Sequence, residues 1–418
     1  MPFRAALSGL NAASSDLRVI GHNIANTSTV GFKKSRAEFA DVYAVSNLGV
    51  AANAIGSGVR VSNVAQQFTQ GNVEFTDNNL DLAINGSGFF ILSDSGSTAY
   101  TRAGTFSVDR DGYIVNNQSQ RLQAFQADAG GNITGAVGDL QLNTSDIAPA
   151  ATTQVDLNLN LDSRETVPVA AFAPTDPTSY NKSTSLSVYD SLGNPMLATM
   201  YYVKDAAVNT WNVYTYVTEP DGTTTEMVPT GGSPAQLTFD SFGDLTSVTS
   251  PVAGNPLAID YNALPVGTGA VPLSVDIAYT GASQYGSGFG VNSLTQDGYT
   301  SGRLNGVDID DTGVILARYT NGQTQTLGQV ALANFANPQG LRQVGDTNWA
   351  ESFGSGVAIV GNPGTSSLGL IQSGALEGSN VDLTEQLVRM ITAQRNFQAN
   401  SQVISTADTI TQTIINIR

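Results

Sequence analysis

The stretch "SGLNAASSDLRVIGHNIANTSTVGFKKS", residues 8–35, begins as an amphipathic helix and ends in a loop that contains glycine. Its apolar residues follow an alternating spacing of four and three, which predicts a narrow, coiled-coil-like stripe on a helix from about residue 3 to residue 25. Asn26 suits a left-handed C-terminal cap, and Gly31 marks the following loop. The residues of this predicted N-terminal seam are Ala6, Leu10, Ala13, Leu17, Ile20 and Ile24.

A second helix is predicted at the other end of the chain, where it opens with "NVDLTEQLVRM", residues 380–390. Asp382 is the expected N-cap, and Glu385 three residues later completes a pattern like a capping box. A first apolar stripe and a second, slightly rotated one predict a seam that drifts around the helix axis. The residues of these stripes are Leu383, Leu387, Met390, Gln394 and Phe397, then Val403, Ala407, Ile410, Ile414 and Ile417.

The sequence between the two helices has the pattern of β-hairpins. Segments such as "TFSVDRDGYIV" (105–115) and "LTFDSFGDLTSV" (237–248) alternate apolar and polar residues on both sides of a turn that contains Asp and Gly. This pattern is typical of two antiparallel strands joined by a tight turn. The predicted fold class is therefore a mainly β, multidomain protein whose N- and C-terminal α-helices pair as a coiled coil, with the β-domains nested between them.

The terminal helices need partners, because an isolated helix of this length is only marginally stable in water. Each predicted seam lacks a covering element nearby in the sequence, so the other terminus is its expected partner. A pair of helices buries only part of its apolar surface. The remaining apolar residues are expected to be buried against further copies of the same chain, so the sequence predicts a protein whose ends become ordered on assembly.

The composition excludes several classes of function. The chain of 418 residues has a formal net charge of −17, which argues against a nucleic-acid partner. No basic residue lies between Lys204 and Arg303, so this acidic block is expected to face solvent. The sequence shows neither a cleaved signal peptide nor an apolar run that could span a membrane, and no membrane insertion is expected.

No enzymatic activity is expected. The chain has no cysteine and a single histidine, His22, so that neither a thiol nucleophile nor a site with several histidines is available. "DIDDTG" (308–313) lacks the glutamate that a calcium loop needs at its twelfth position and is interpreted as a hairpin turn. We therefore predict no catalytic site, no metal site and no cofactor. His22 itself is expected to be a partly buried helix residue.

Two groups of polar residues near the N-terminus leave alternatives open. Asn11, Asn23 and Asn26 lie beside the seam, where asparagine can either bind a neighbouring subunit or cap and break the helix. Asn26 favours the cap, whereas both interpretations stay open for Asn23. The basic cluster of Lys33, Lys34 and Arg36 is interpreted as a solvated face, with contact to an acidic neighbour or the steering of assembly as the alternative.

The terminal segments closely resemble those of the bacterial flagellar rod and hook proteins, the axial family. The N-terminal segment, residues 8–42, and the C-terminal segment "GALEGSNVDLTEQLVRMITAQRNFQANSQVISTADTITQTIINIR" carry this resemblance. Interior segments such as "LDLAINGSGFFIL" (80–92) agree, and the large central insertion favours the hook members over the shorter rod members. The residues of the N-terminal signature are Ser8, Gly9, Leu10, Asn11, Asn23, Ile24, Ala25, Asn26, Thr27, Gly31, Phe32 and Lys33.

The resemblance implies a structural subunit that polymerises into the flagellar hook, the flexible, curved, tubular joint that transmits torque from rod to filament. It also implies an extracellular location at the basal-body end of the flagellum. The alternatives are a distal-rod-type subunit and, from a different class, a secreted β-rich adhesin or binding module. The implied domains are a terminal coiled coil (1–27 and 385–418), a connector (28–75 and 374–384), a middle β-domain (76–156 and 295–373) and an outer acidic β-domain (157–294).

The resemblance further implies the partners of the chain. The first is the chain itself, as a helical homopolymer. The others are the rod, the hook cap, the hook–filament junction proteins, the hook-length-control protein and the flagellar type III export apparatus, through which the family is exported unfolded. The missing cysteine fits a chain that must remain threadable during export.

Overall fold

The computed structural model describes residues 2–42, 56–94, 96–128, 130–142, 145–365 and 367–416. The predicted seam residue Ile417 and residues 43–55 of the predicted connector lie outside the described residues. The chain divides into two compact units, and the second unit is inserted in the sequence of the first. The first unit comprises Met1–Asn143, Gly306–Arg318 and Thr324–Arg418, and the second comprises Thr144–Asn305 and Tyr319–Gln323.

The elements follow in chain order. The first part of the chain contains α1 (Pro2–Ala25), β1 (Ser35–Asp41), β2 (Val59–Gln66), β3 (Val73–Phe75), β4 (Leu82–Asn85), β5 (Phe89–Asp94), β6 (Ser97–Thr101), β7 (Ser107–Val108), β8 (Ile114–Val115), β9 (Arg121–Ala127) and β10 (Ile133–Asp139). The inserted part contains β11 (Gln154–Asn160), β12 (Lys182–Tyr189), β13 (Pro195–Lys204), β14 (Thr210–Thr218), β15 (Thr224–Met227), β16 (Ala235–Phe239), β17 (Leu245–Val248), β18 (Pro251–Val252), β19 (Asn255–Asp260), β20 (Asp276–Ala278) and β21 (Gly290–Gln296). The last part contains β22 (Leu304–Ile309), β23 (Val314–Tyr319), β24 (Thr324–Val330), β25 (Leu332–Asn334), a 3-10 helix (Pro338–Gly340), β26 (Arg342–Gly345), β27 (Asn348–Ala350), β28 (Ile359–Gly361), β29 (Leu370–Ser373), β30 (Ala375–Glu377) and α2 (Leu383–Asn416).

The first unit is built around a large sheet in which β5 lies between β9 and β6. Side chains of β5 alternate between two cores, because successive residues of a strand point to opposite faces of the sheet. Phe90 and Leu92 join one buried cluster, while Phe89 and Ile91 join a second cluster that includes Trp349. Both faces of the sheet are thus buried, which explains why "GFFIL" reads as a continuous apolar run. Smaller pairings join β1 to β2, β3 to β30 and β4 to β29.

The second unit contains two sheets that share one core. A five-stranded sheet has the order β18-β19-β20-β11-β21, and a six-stranded sheet is centred on β13 and β14. Trp211 and Val213 of β14 and Leu157 of β11 belong to the same buried cluster. Alternate residues of these strands face this cluster, so that the unit is a β-sandwich whose strands follow the predicted period of two.

The predicted fold class is confirmed, because the chain is mainly β with two terminal helices that pack on each other. The predicted domain boundaries differ from the structure in detail. The boundary predicted at 156/157 falls inside β11, and the one at 294/295 falls inside β21. These two strands pair with each other, so both belong wholly to the second unit, and the boundaries that the family resemblance implied lie too far in. The division into four domains stays a prediction.

A buried carboxylate makes the stability of the second unit dependent on pH. Asp190 is fully buried and accepts hydrogen bonds from the backbone N–H groups of Leu192 (2.9 Å) and Asn194 (2.8 Å), from the Asn194 amide (2.9 Å) and from the Thr268 hydroxyl (2.7 Å). Burial acts to raise the pKa of Asp190, but these hydrogen bonds together outweigh it and the pKa lies below its usual value. The ionised form therefore stabilises the fold above the usual pKa, and this contribution is lost as the pH falls through the lowered value.

We expect Asp190→Asn to destabilise the second unit by about 1–3 kcal/mol at pH 7, because the new amide group faces donors. The variant should also lose less stability than the unchanged chain when urea unfolding is repeated from pH 5 down to pH 2. Asp221→Asn is the matched control, since Asp221 caps a similar turn but is exposed. Equal pH slopes for the Asp190 variant and the unchanged chain would contradict this role.

Candidate functional site

The terminal helices form an antiparallel pair. The Asn23 amide of α1 donates to Gln386 Oε1 of α2 at 3.2 Å. Near the other end of α1, a Cβ atom added at Gly9 would lie 2.5 Å from Asn400 Oδ1. Because residues early in α1 meet residues late in α2, the helices run in opposite directions. The absent side chain at Gly9 lets the two helices approach closely at that level.

The face that α1 turns inward coincides with its predicted seam. Ala6, Ala13 and Ile20 are buried, and the other three seam residues, Leu10, Leu17 and Ile24, are half-buried. Asp16 lies beside this face. Its pKa is raised because burial outweighs the opposing charge of Arg389 on α2. The four-and-three spacing thus located the packing face of α1 correctly. Its role in contacts between copies stays a prediction.

The face that α2 turns toward α1 differs from the predicted one. The covered positions with a four-and-three spacing are Gln386, Met390, Ala393, Phe397, Asn400, Ile404 and Ala407. Only Met390, Phe397 and Ala407 belong to the predicted stripes. The predicted stripes missed two polar inward positions, Gln386 and Asn400, which meet Asn23 and Gly9 on α1. They also missed two apolar inward positions, Ala393 and Ile404, because they followed neighbouring residues of the helix instead.

The remaining described residues of the predicted α2 stripes lie on the outside of the pair. Leu387 is 45% exposed and Ile414 is 64% exposed. Successive residues of a helix are rotated by about 100°. Leu387 and Ile391 therefore lie on one flank of the covered face near the start of α2, and Val403 and Ile410 lie on the opposite flank near its end. The exposed large apolar residues are Phe3 and Leu7 on α1, and Leu383, Leu387, Val388, Ile391, Val403, Ile410, Ile414 and Ile415 on α2.

The start of α2 is capped as predicted, but the capping box is not closed. The backbone N–H of Glu385 donates to Asp382 Oδ1 at 2.9 Å, which makes Asp382 the N-cap. The Glu385 carboxylate instead pairs with Lys34 at 3.1 Å and with Arg389 at 2.7 Å. The hydrogen bond from Lys34 is the main reason why the pKa of Glu385 is lowered. This ion pair joins the start of α2 to the segment that follows α1.

The two helix-end asparagines have different roles. Asn23 is buried, and its side chain exchanges two hydrogen bonds with the backbone of Ser35 (2.8 and 2.9 Å) in addition to the one with Gln386. Its polar groups are satisfied inside the chain, so a bond from Asn23 to a neighbouring subunit is not supported. Asn26 lacks the predicted left-handed conformation and caps through its side chain, which donates to the His22 carbonyl at 2.9 Å.

A buried charge cluster lies between the N-terminal signature and the C-terminal segment. Glu377 Oε1 accepts from Lys33 Nζ at 2.6 Å and from the backbone N–H of Gly71 at 2.8 Å, while Glu377 Oε2 accepts from Arg102 Nη1 at 3.0 Å. Lys33 Nζ also donates to the Thr69 carbonyl at 2.8 Å. The side chains of Lys33 and Glu377 are fully buried, and that of Arg102 nearly so. We call Lys33, Arg102 and Glu377 the charge cluster.

The charge cluster corrects the sequence-based interpretation of Lys33 as part of a solvated face. Burial lowers the pKa of both Lys33 and Arg102, and the charge of Glu377 opposes this shift in each. The cluster holds two cationic side chains against one carboxylate, so removal of the carboxylate would leave buried charge uncompensated. Its three members lie far apart in the sequence, and no local pattern in the chain could have identified the pairing.

The other signature residues shape the turn from α1 into β1. Gly31 has φ +70°, and a Cβ atom there would overlap the backbone nitrogen of Ala103, so this position needs glycine. Phe32 is buried with its ring edge-on to His22 at 5.5 Å, although His22 is exposed and not half-buried as predicted.

Ser8 accepts a hydrogen bond from the backbone N–H of Val59 at 3.1 Å. The remaining members lie on or next to α1, namely Asn11 and Ala25, which are exposed, and Thr27, which bonds to the Ile24 carbonyl.

A groove lies beside the end of α1, with a volume of about 630 Å³. Val30, Phe32 and Trp349 supply apolar lining, and Asn117 and Gln118 supply polar lining. Among the described residues, no group of three or more His, Asp or Glu has the arrangement of a metal site. Neither helix, within the described chain, is long and apolar enough to cross a membrane.

Four family models match successive parts of the chain. Residues 3–33 match the flagella basal body rod protein model, and residues 83–160 match the flagellar hook protein FlgE/F/G D1 domain. Residues 160–299 match the flagellar basal body protein FlaE D2 domain, and residues 372–417 match the C-terminal model of the flagellar basal body rod FlgEFG proteins. The matches therefore extend from the first helix, through the inserted second unit, to the last helix.

Relatives match the chain over its whole length. The flagellar hook protein FlgE of Escherichia coli (strain K12) is 39% identical over 428 residues, which cover 100% of both chains. The flagellar hook protein FlgE of Borreliella burgdorferi is 34% identical over 447 residues, which cover 99% of this chain and 98% of the relative. The crystal structure of Helicobacter pylori flagellar hook protein FlgE2 matches with a TM-score of 0.53 at 14% identity, and covers 73% of this chain and 100% of that chain. At this low identity, the last match concerns the fold alone.

Proposed function

The chain belongs to the flagellar hook protein family, and on this premise we propose that its copies polymerise through the exposed apolar residues of their terminal helices. The protein is a structural subunit of the extracellular hook of the bacterial flagellum. Hook proteins match this chain over its whole length, and these matches argue against the distal-rod and adhesin hypotheses.

The observation that carries the proposal is the set of large apolar side chains on the outside of the helix pair. Leu387, Ile391, Ile410 and Ile414 are each about half-exposed or more. Exposed apolar side chains grouped in this way, with one group on each flank, mark interaction sites in soluble proteins. Because these residues occupy both flanks of α2, one helix pair can contact a neighbour on each side, as a tube of subunits around a common axis requires.

The finer features of the function are part of the proposal. The subunits form a flexible, curved joint that transmits torque from rod to filament. The chain passes unfolded through the flagellar type III export apparatus, and its heterologous partners are the rod, the hook cap, the hook–filament junction and the hook-length-control protein. Catalysis has no part in this function. The signature residues around Lys33 fix the turn that orients α1, and the exposed apolar residues on the outside of the helix pair form the assembly surface.

The double variant Leu387→Ser/Ile391→Ser tests the proposal. Burial of each apolar side chain on assembly contributes about 1.5–3 kcal/mol, so we expect the critical concentration for tube formation to rise about 100-fold or more. Purified protein would be imaged for tubes over a concentration series, with circular dichroism to verify the helices. Because both residues are exposed in the single chain, monomer stability should change by less than about 1 kcal/mol.

The matched control is Gln394→Ser/Gln398→Ser, which changes two exposed polar residues of the same helix. The control should form tubes at nearly the concentration of the unchanged chain. If the Leu387/Ile391 variant assembled as readily as this control, polymerisation through the exposed apolar residues would be refuted.

A further inference from the structure

The end of α2 extends past the start of α1. α1 has 24 residues and α2 has 34, which correspond to lengths of about 36 Å and 51 Å. Phe3 borders the same cavity as Ala407 and Thr411, which places the start of α1 at this level of α2. Every residue from Asp408 to Asn416 is exposed. We call residues 408–416 the overhang.

The overhang continues an interface that the chain itself only partly completes. Thr411 and Ile414 extend the four-and-three spacing of the covered α2 positions beyond Ala407. In the described chain these two positions are exposed. Ile410 and Ile415 add exposed apolar surface beside them. The same helix face that packs on α1 is thus left without a partner over its last turns.

The groove beside Phe32 lies at the opposite end of the helix pair. His22 and Asn26, at the end of α1, line it, and Phe32 and Trp349 are its buried apolar residues. Its rim includes the turn between β26 and β27, where Asp346 and Thr347 both have positive φ (50° and 57°). Two such residues in succession are the geometry of a tight type I′ hairpin turn, which fixes the backbone of the rim before any partner arrives.

We propose that the overhang of one copy docks in the groove of the next copy. The two surfaces lie at opposite ends of a helix pair about 36 Å long, so one chain cannot satisfy both within itself. Each copy that docks leaves one free overhang and one free groove, and such a head-to-tail contact generates an open polymer. This proposal rests on the proposed function and adds to it the pair of surfaces that stack subunits along the axis.

The two surfaces are chemically complementary. The overhang presents Ile414 and Ile415 together with hydroxyl and amide groups of residues such as Thr413. The groove offers apolar contact at Val30, which is half-buried, and amide groups at its rim, so both apolar and polar parts of the helix find partners. A purely apolar partner would leave the polar groups of the overhang without hydrogen bonds, and a strongly charged partner would leave its apolar groups without contacts.

Paired cysteines test the docking cleanly because the chain has none of its own. One set of subunits carries Thr409→Cys, Thr411→Cys or Thr413→Cys in the overhang, and the other carries Asn117→Cys at the groove rim. The sets are mixed at high concentration, oxidised and run on a non-reducing gel. We expect a disulfide-linked heterodimer for at least one overhang position. The matching double variant, which carries both cysteines in one chain, should give a ladder that extends beyond the dimer.

The matched control is Gln398→Cys, an exposed position on the part of α2 that lies alongside α1. It should give no heterodimer above the level of random collision when mixed with Asn117→Cys. The heterodimer is scored in solution whether or not tubes form, so that docking is decided separately from polymerisation through the helix flanks. Failure of all three overhang positions to cross-link, or equal cross-linking by Gln398→Cys, would overturn the proposal. If tubes form but none of the overhang cysteines cross-links to Asn117→Cys, the docking proposal is overturned and the proposed function stands.

Discussion

Glu377→Gln is expected to destabilise the first unit by about 3–5 kcal/mol. The substitution keeps the shape of the side chain but removes the only carboxylate of the charge cluster. Lys33 and Arg102 would then stay buried without a counter-charge, and the glutamine amide would face at least one of the three donors that now meet the carboxylate. Glu377 is the last residue of β30, the strand that pairs with β3. Loss of the carboxylate should therefore weaken the contact between the two terminal segments.

Urea unfolding followed by Trp349 fluorescence measures this effect. Trp349 is buried in the first unit, and a Trp211→Phe background removes the only other tryptophan. Glu38→Gln in the same background is the matched control, because Glu38 pairs with Arg36 at the surface and such pairs contribute at most about 1 kcal/mol. A loss below about 1 kcal/mol for the Glu377 variant would show that the charge cluster is not important for stability.

Gly104→Ala is expected to destabilise the first unit by about 3 kcal/mol or more. A Cβ atom at this position would overlap the backbone carbonyl of Leu82, whose N–H donates to the Gly104 carbonyl at 2.9 Å. Neither backbone can yield easily, because Leu82 begins β4 and its side chain lies in the core. The added methyl group would therefore separate β4 from the segment after β6.

Gly135→Ala is the control for this substitution. Gly135 lies in β10 with nothing near the position of its missing Cβ atom, so that alanine should be neutral or slightly stabilising there. Both variants would be compared by thermal unfolding of the purified protein. Similar unfolding midpoints for Gly104→Ala and Gly135→Ala would contradict the expected overlap of the added methyl group with the Leu82 carbonyl.

The parts of the fold that depend on local patterns were predictable from the sequence. The spacing of apolar residues located α1 and its packing face, and Asp382 located the start of α2. Strand periodicity and turn residues identified the hairpins of both units. These features are set by neighbouring residues and need no knowledge of distant contacts.

The parts that depend on distant contacts were not predictable. Gln386 and Asn400 face inward because of what α1 offers at their level, namely the Asn23 amide and the bare backbone of Gly9. Lys33 is buried because the chain brings Glu377 to it from a separation of 344 residues. A polar residue in one sequence cannot reveal whether a partner elsewhere satisfies it, and a rule that assigns apolar residues inward necessarily misplaces such positions.

Hydrogen–deuterium exchange of α2 in dilute monomers and in assembled tubes tests the central claim, that other copies complete the terminal helices. We expect amides of residues 408–416 to exchange rapidly in the monomer, because an exposed helix end without packing opens readily. The same amides should be protected in tubes, whereas amides of 386–404, which α1 covers, should be protected in both states. Equal protection of residues 408–416 in the dilute monomer and in the tube would contradict the account.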